Sequence, residues 1–547
     1  MKSHRNALSP ARGSAAVVLL VIVAVLFAAG AMAWLVLRRA PAAHARDAAG
    51  YIPADAALVL TLHVPRLIEK SALPLLIQER IDQLPGARMF INPARLKDDA
   101  DLGKKGLRTD APWHFFIEPD AAGKPVYGLI VPLRDRRAFE QGLRDLPAQL
   151  GMRFLNRVQT RGSLHGIFDG REPFAAAYDE STLLLLAQEG GANHLPSRLT
   201  QMFSSRSALA APAFTALQSS GADVAAWVNV EAAAKWLPAD AEPLKALLRE
   251  PRLSGLSQGQ VTASVHFDAG QVRLDAALHT SAGTALLPLK PVDAGLVGLL
   301  PRDAIVAGIV GVNLPALPPS LGAGSALLPG GAETSAAILK MAENFLGLSL
   351  AELMAQWQGD LALAITDAAP PDAKPAPGEA QARPALPWLK LPNLSLPKLP
   401  VPKVEFLAAA SFAKPEQARS MASRLAPFDG LGVGALAVDN RLVLATSPHR
   451  ESLKKERPAM LPAREWESFV GSGAALKIDF RRLSHAMHRF DAAPNLDALG
   501  HLTLSLRQDS GQVRLQTHLA LADGGINSLR KLLELALDGL APRRPGN

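Results

Sequence analysis

Three Ser-x-x-Lys pairs, Ser411/Lys414, Ser452/Lys455 and Ser528/Lys531, bring together the residue types of a serine nucleophile and a lysine base. A site of that kind also needs Ser-Asp-Asn and Lys-Thr-Gly phrases, and the chain has neither. A two-letter pattern repeated without its companions reads as background. His485 and His488 stand three apart on an expected helix, which puts both imidazoles on one face, but no further ligand follows in register for zinc. Gly430, Gly432 and Gly434 form a glycine-rich phrase without the Lys-Ser/Thr of a phosphate-binding loop, so it reads as a turn into a hairpin. Cysteine is absent, which excludes disulfides, thiolate metal sites and cysteine nucleophiles together. No catalytic, cofactor-binding or metal-ligating residue is assigned, and binding without catalysis is the expectation.

Composition narrows what is bound. With 48 % apolar and 20 % charged residues, the chain reads as folded material with only local disorder. A formal net charge of +8 suggests a polyanion, but Lys and Arg are interleaved with acids, and the three Tyr form no stacking platform among basic residues. Nucleic acid is not an expected partner. Anionic lipid headgroups suit the charge better.

The elements that would position any site are written twice. Tyr51-Ile52-Pro53-Ala54-Asp55-Ala56-Ala57 returns as Leu300-Pro301-Arg302-Asp303-Ala304-Ile305, and Gly270-Gln271-Val272-Arg273-Leu274 returns as Gly511-Gln512-Val513-Arg514-Leu515. Pro53 to Pro301 is nearly the same interval as Gly270 to Gly511, so order and spacing are both kept, as in a duplicated unit. Between these phrases the apolar runs 57–64 and 305–312 come first, and 112–117 and 359–365 follow as second strands. Runs 126–131 and 405–411 lead through Asp135 and Pro415 into helical stretches, and 175–186 and 434–444 read as hairpins. Runs 225–230 and 475–480 each precede a helix, and the alternation of Val513, Leu515 and Thr517 puts them on one sheet face. The expected class is α+β: two tandem units of antiparallel sheet with helices on one face, at 51–295 and 296–540, then a tail at 541–547. Asp55 and Asp303 read as turn-forming acceptors ahead of a strand, and Trp113, Trp227, Trp236 and Trp466 as core. The amphipathic stretch 527–540 is expected to pack on the second unit.

The opening Ile52-Pro53-Ala54-Asp55-Ala56 ahead of a strand, with the strand-turn-helix around Asp135 and Phe139, resembles bacterial envelope proteins grouped under domains of unknown function. The resemblance spans most of residues 51–520 and implies a signal or anchor followed by repeated α+β units outside the cytoplasm. It brings no catalytic residues.

Residues 15–37 carry no charge and are long enough to span a bilayer as a helix. Ala31-Met32-Ala33 suits a signal-peptide cut, but the apolar run continues through Trp34 to Leu37, so an uncleaved anchor is the leading expectation. The result is a cytoplasmic N-terminus (1–14), one inner-membrane span (15–37), a spacer (38–50) and a periplasmic body. The second unit alone carries a proline-rich insertion, 368–403, where the first has the short connection 118–125. Leu-Pro pairs begin at Leu386, Leu391, Leu396 and Leu399, and proline opposes both helix and central strand, so an exposed extended arm is expected over 384–403. Leu386, Trp388, Leu391, Leu396 and Leu399 are its expected partner contacts, a tolerated loop being the bland alternative. The leading expectation is a non-catalytic, membrane-tethered periplasmic binding or scaffolding protein whose partner is an envelope protein or lipid, with no cofactor. Two alternatives stand beside it: a carrier holding a lipid or other apolar ligand in a cavity of the α+β units, and a hydrolase whose groups meet only in space.

Overall fold

The computed structural model describes residues 48–80, 102–144, 158–168, 173–188, 193–204, 209–236, 258–280, 287–316, 347–369, 403–426, 429, 432–455, 464–489, 496–509 and 511–540. They form an α+β protein of two compact units. The first comprises Met1–Lys245, Gln260–Phe267 and Asn527–Asn547, the second Ala246–Gly259 and Asp268–Ile526. The units therefore exchange elements across the tandem boundary expected at 295.

In the first unit, strands β1 (Leu58–Leu62), β2 (Trp113–Pro119), β3 (Pro125–Pro132), β4 (Gln159–Arg161), β5 (Leu164–Ile167), β6 (Phe174–Tyr178), β7 (Thr182–Ala187), β8 (Val224–Asn229) and β9 (Gln260–Asp268) pair antiparallel throughout. Their order is β9-β8-β1-β2-β3-β7-β6-β5-β4. Turn chemistry closes the hairpins. Asp120 accepts from the backbone N–H of Ala122 and Lys124 at 2.8 and 2.7 Å, while Asp179 accepts from those of Ser181 and Thr182 at 2.7 and 2.8 Å. One side of the sheet carries Val59, Phe116, Ile130, Leu184 and Trp227, packed with Leu195 and Leu199 of the helix Leu195–Ser204 and Phe214 of the helix Pro212–Gln218. Phe214 meets Trp227 edge-on at 6.3 Å between centroids.

In the second unit, β10 (Gln271–His279), β11 (Val306–Gly311), β12 (Trp357–Ala369), β13 (Lys403–Phe412), β14 (Val433–Val438), β15 (Arg441–Thr446), β16 (Ala474–Asp479), β17 (Leu499–Asp509) and β18 (Gln512–Leu521) run in the order β10-β18-β17-β16-β11-β12-β13-β15-β14, again antiparallel. The two closing phrases of the sequence are partners here, with Gln271 opposite Ala520 and His279 opposite Gln512. Gly511, at φ +77°, makes the turn from β17 into β18. The core side packs Ile309, Ala364, Leu407 and Val443 beneath Trp466 and Phe469.

Both units share the central order β9-β8-β1-β2-β3-β7-β6 and β17-β16-β11-β12-β13-β15-β14. The agreement extends to single bonds. Ala57 N–H donates to Ile117 O at 2.8 Å and Ile305 N–H to Ile365 O at 2.7 Å. Asn229 N–H donates to Ala57 O and Asp479 N–H to Ile305 O, each at 2.8 Å, and both side chains then cap the next helix through Ala232 N–H and Arg482 N–H.

Two expectations are corrected. The helices are not confined to one face: Phe139 of the helix Arg136–Arg144 stacks edge-on against Tyr178, which lies on the side opposite Ala177 and the main core. In the second unit the helix Pro415–Leu425 likewise packs on Phe412 and Leu442. Strand parity decides this, since neighbouring residues point to opposite sides. The terminal helix Ser528–Leu540 packs on the first unit, against Val64–Ser71 and Leu73–Arg80, with Arg530 3.6 Å from Glu79. Its apolar stripe demands a partner without naming which one. Among the described residues, no helix is long and apolar enough to cross a membrane, and residues 15–37 lie outside them.

Candidate binding surface

The residues singled out for chemistry do not converge. Ser411 is buried while Lys414 is exposed, and Lys531 pairs with Glu534 at 3.5 Å while Ser528 is buried. His485 and His488 are exposed, and His488 donates Nδ1–H to the Ser484 carbonyl at 2.8 Å. Among the described residues, no three His, Asp or Glu side chains gather as a metal site would require. Gly432 adopts φ +79° at the entry to β14, the turn its sequence suggests. Trp113, Trp227 and Trp466 are core, whereas Trp236 is half-buried and donates Nε1–H to Gly123 O at 3.0 Å. Asp55 is exposed, 3.7 Å from Arg198, and so ties the opening phrase to the helix Leu195–Ser204. Leu386, Trp388, Leu391, Leu396 and Leu399 lie outside the described residues, as does the rest of the proposed arm up to Pro402.

The structure presents instead an apolar surface on the sheet side opposite each core. In the second unit, the register sets Phe406, Ile365, Val306, Ile478, Leu502 and Leu519 in one row across six strands. Parallel rows place Leu363 beside Gly308 and Leu476, and Leu361 in line with Val310, Ala474, Leu506 and Leu515. The alternate positions, Ala307, Ile309, Ala362, Ala364 and Leu407, are buried, while this outer side is half-exposed. Leu361, Leu363 and Leu515 are 41 %, 49 % and 37 % exposed. In the first unit the corresponding rows run through Leu60, Phe115, Leu129 and Leu185, and through Leu58, Ile117 and Tyr127, with Phe115 stacked on Tyr127 at 6.4 Å. Sequence reasoning missed this surface, although its signal is present: β12 reads Leu361-Ala362-Leu363-Ala364-Ile365, apolar at every position rather than at alternate ones.

Charge lies on the core side and at the ends of the strands. Glu118, buried on β2, accepts two bonds from the guanidinium of Arg198, and burial pushes its carboxyl above the usual range. Asp360 is raised by the same cause beside Lys290, 2.7 Å away. Asp223, equally buried, takes Lys70 at 2.6 Å and the N–H of Phe267 at 2.7 Å. Lys477 lies over the Trp466 ring at 4.6 Å, and burial lowers its ammonium. Burial, then the charges of Lys477 and His518, lower His501, whose ring is 6.0 Å from that of His518. Glu118 and Asp223 are thus paired groups that hold strand ends to helices. The outer apolar side has the chemistry to receive lipid or protein side chains.

No family model matches the chain, and no curated protein matches it. Among solved structures, crystal form I of TP0453 is similar over 43 % of this chain and 80 % of that one, at 10 % identity and a TM-score of 0.24, an overlap that assigns neither fold nor function.

Proposed function

We propose that this chain is a membrane-tethered, extracytoplasmic binding or scaffolding protein of the bacterial envelope, and that its working surface is the outer apolar side of its sheets. The observation that carries the reading is the continuous half-exposed row from Phe406 to Leu519, flanked by exposed Leu361, Leu363 and Leu515. Contiguous exposed apolar surface on a folded body marks a contact with protein or lipid. Covering the exposed half of one leucine is worth about 1 kcal/mol, from the roughly 1.5–3 kcal/mol of full burial. The shared strand order and the matched bonds at Ala57 and Ile305 support descent of both units from one duplicated ancestor. An anchor at residues 15–37 would raise the local concentration of this surface at the membrane. The internal-cavity reading is less well supported. Phe116, Phe214 and Trp227 fill the space between sheet and helices in the first unit, as Trp466 and Phe469 do in the second.

Because the chain has no cysteine, Ser423→Cys on the exposed side of Pro415–Leu425 supplies a single thiol. With the outer membrane permeabilised, a membrane-impermeant maleimide should label it before the inner membrane is lysed. Labelling only after lysis would contradict the location.

A further inference from the structure

We propose that the outer apolar side of the second unit is occupied by the chain's own residues 384–403, docked intramolecularly. The inference rests on reading that side as a binding surface. Three observations point to this occupant. The insertion leaves and re-enters the sheet at one place: β12 ends at Ala369 and β13 begins at Lys403, and these two residues are register partners. Two of the three exposed leucines on this side, Leu361 and Leu363, sit on β12, the strand that feeds the insertion, and the third, Leu515, is on β18. The unit without the insertion lacks this exposure at the matching position. By register, Leu361 opposite Val310 corresponds to Trp113 opposite Leu62, and Trp113 is 2 % exposed against 41 % for Leu361. There the β2–β3 hairpin closes through the short turn at Asp120.

The reach is sufficient. From β12 to β18 is four strand spacings, about 19 Å at roughly 4.8 Å each. From Leu386 to Lys403 a polyproline-like run covers about 50 Å at roughly 3.1 Å per residue. Leu386, Trp388, Leu391, Leu396 and Leu399 offer apolar side chains to leucines and valines, and residues 384–403 contain no acid. Attachment at both ends removes the association cost that a separate partner would meet, and preset proline geometry lowers the ordering cost further.

The test uses the purified full chain in lipid nanodiscs with benzoylphenylalanine in place of Leu363. Irradiation should give an adduct within one chain to a peptide from 384–403, which trypsin localises by cutting after Lys390 and Lys398. Adducts to a second copy, to lipid or to another part of the chain, or no adduct, would overturn the proposal. As a second measurement, deletion of 384–403 should raise binding of an apolar dye several-fold, and Leu363→Lys with Leu515→Lys in that deletion should return it to the full-chain level. Unchanged dye binding on deletion also overturns it. Absence of any partner in native membranes would remove the proposed function yet leave the intramolecular adduct in place, so the two failures are distinguishable.

Discussion

Leu363 and Ala364 are adjacent on β12 and should respond oppositely to the same substitution. Leu363 is 49 % exposed, so Leu363→Lys forfeits only the buried half of one leucine, about 1 kcal/mol, and the lysine stem recovers part by lying along the sheet. Ala364 is 0 % exposed and shares its cluster with Ile309, Leu407 and Val443. Ala364→Lys forces an ammonium and four methylenes among them. Overpacking costs about 1–3 kcal/mol, and an unpaired buried charge adds several more. The sum is comparable with the roughly 5–15 kcal/mol that holds a whole domain together, so the second unit should not fold. Urea unfolding followed by tryptophan fluorescence and near-ultraviolet circular dichroism reads both variants. Leu363→Lys should keep a cooperative transition near the parent midpoint, and Ala364→Lys should lose it. Similar losses in both would refute the two-sided description of this sheet.

Other consequences are equally direct. A Cβ on Gly128 would lie 2.0 Å from Cζ of the fully buried Phe116, so Gly128→Ala should destabilise the first unit by about 1–3 kcal/mol in urea unfolding, with partial recovery on adding Phe116→Leu. An unaffected single variant would show that the two residues do not face each other. Arg198→Met leaves Glu118 buried without its cation and should cost about 3 kcal/mol at neutral pH, less in acid as the carboxyl protonates, and adding Glu118→Gln should restore most of it. A loss independent of pH would locate the effect in packing instead. His501 is held below its ordinary 6.5, so the unfolded chain binds more protons just below that pH. Its contribution to the second unit is present above 6.5 and is lost as pH falls towards the depressed folded value. His501→Asn should remove that component, and identical midpoint-versus-pH slopes for parent and variant would contradict the assignment.

Much of the strand order is legible in the sequence because the repeated phrases carry their own bonding. Ala57 and Ile305 each bridge two strands, and Asn229 and Asp479 each end a strand and cap a helix, so matching phrases imply matching neighbours. Local pattern does not settle which side a helix covers. Ala138, Phe139 and Leu143 show that Arg136–Arg144 is amphipathic, but its placement depends on Tyr178 rather than Ala177 facing it. The exchange of β10 into the second unit is likewise invisible locally, since Gln271-Val272-Arg273-Leu274 and Gln512-Val513-Arg514-Leu515 are nearly the same strand. The outer surface was harder still. Leu361 to Ile365 reads as a strand buried on both sides, and only the packed structure shows that one side is left half-exposed.

The most direct test of the central claim compares neighbours on β18. Leu515 faces the outer apolar side and Arg514 the opposite one, and both are exposed. With benzoylphenylalanine at either position in the full chain, irradiated in native membranes, Leu515 should give a discrete covalent adduct, within the chain to residues 384–403 or with a partner seated beside them, and Arg514 should not. The same adducts from both positions, or none from Leu515, would contradict the assignment of the outer side as the working surface.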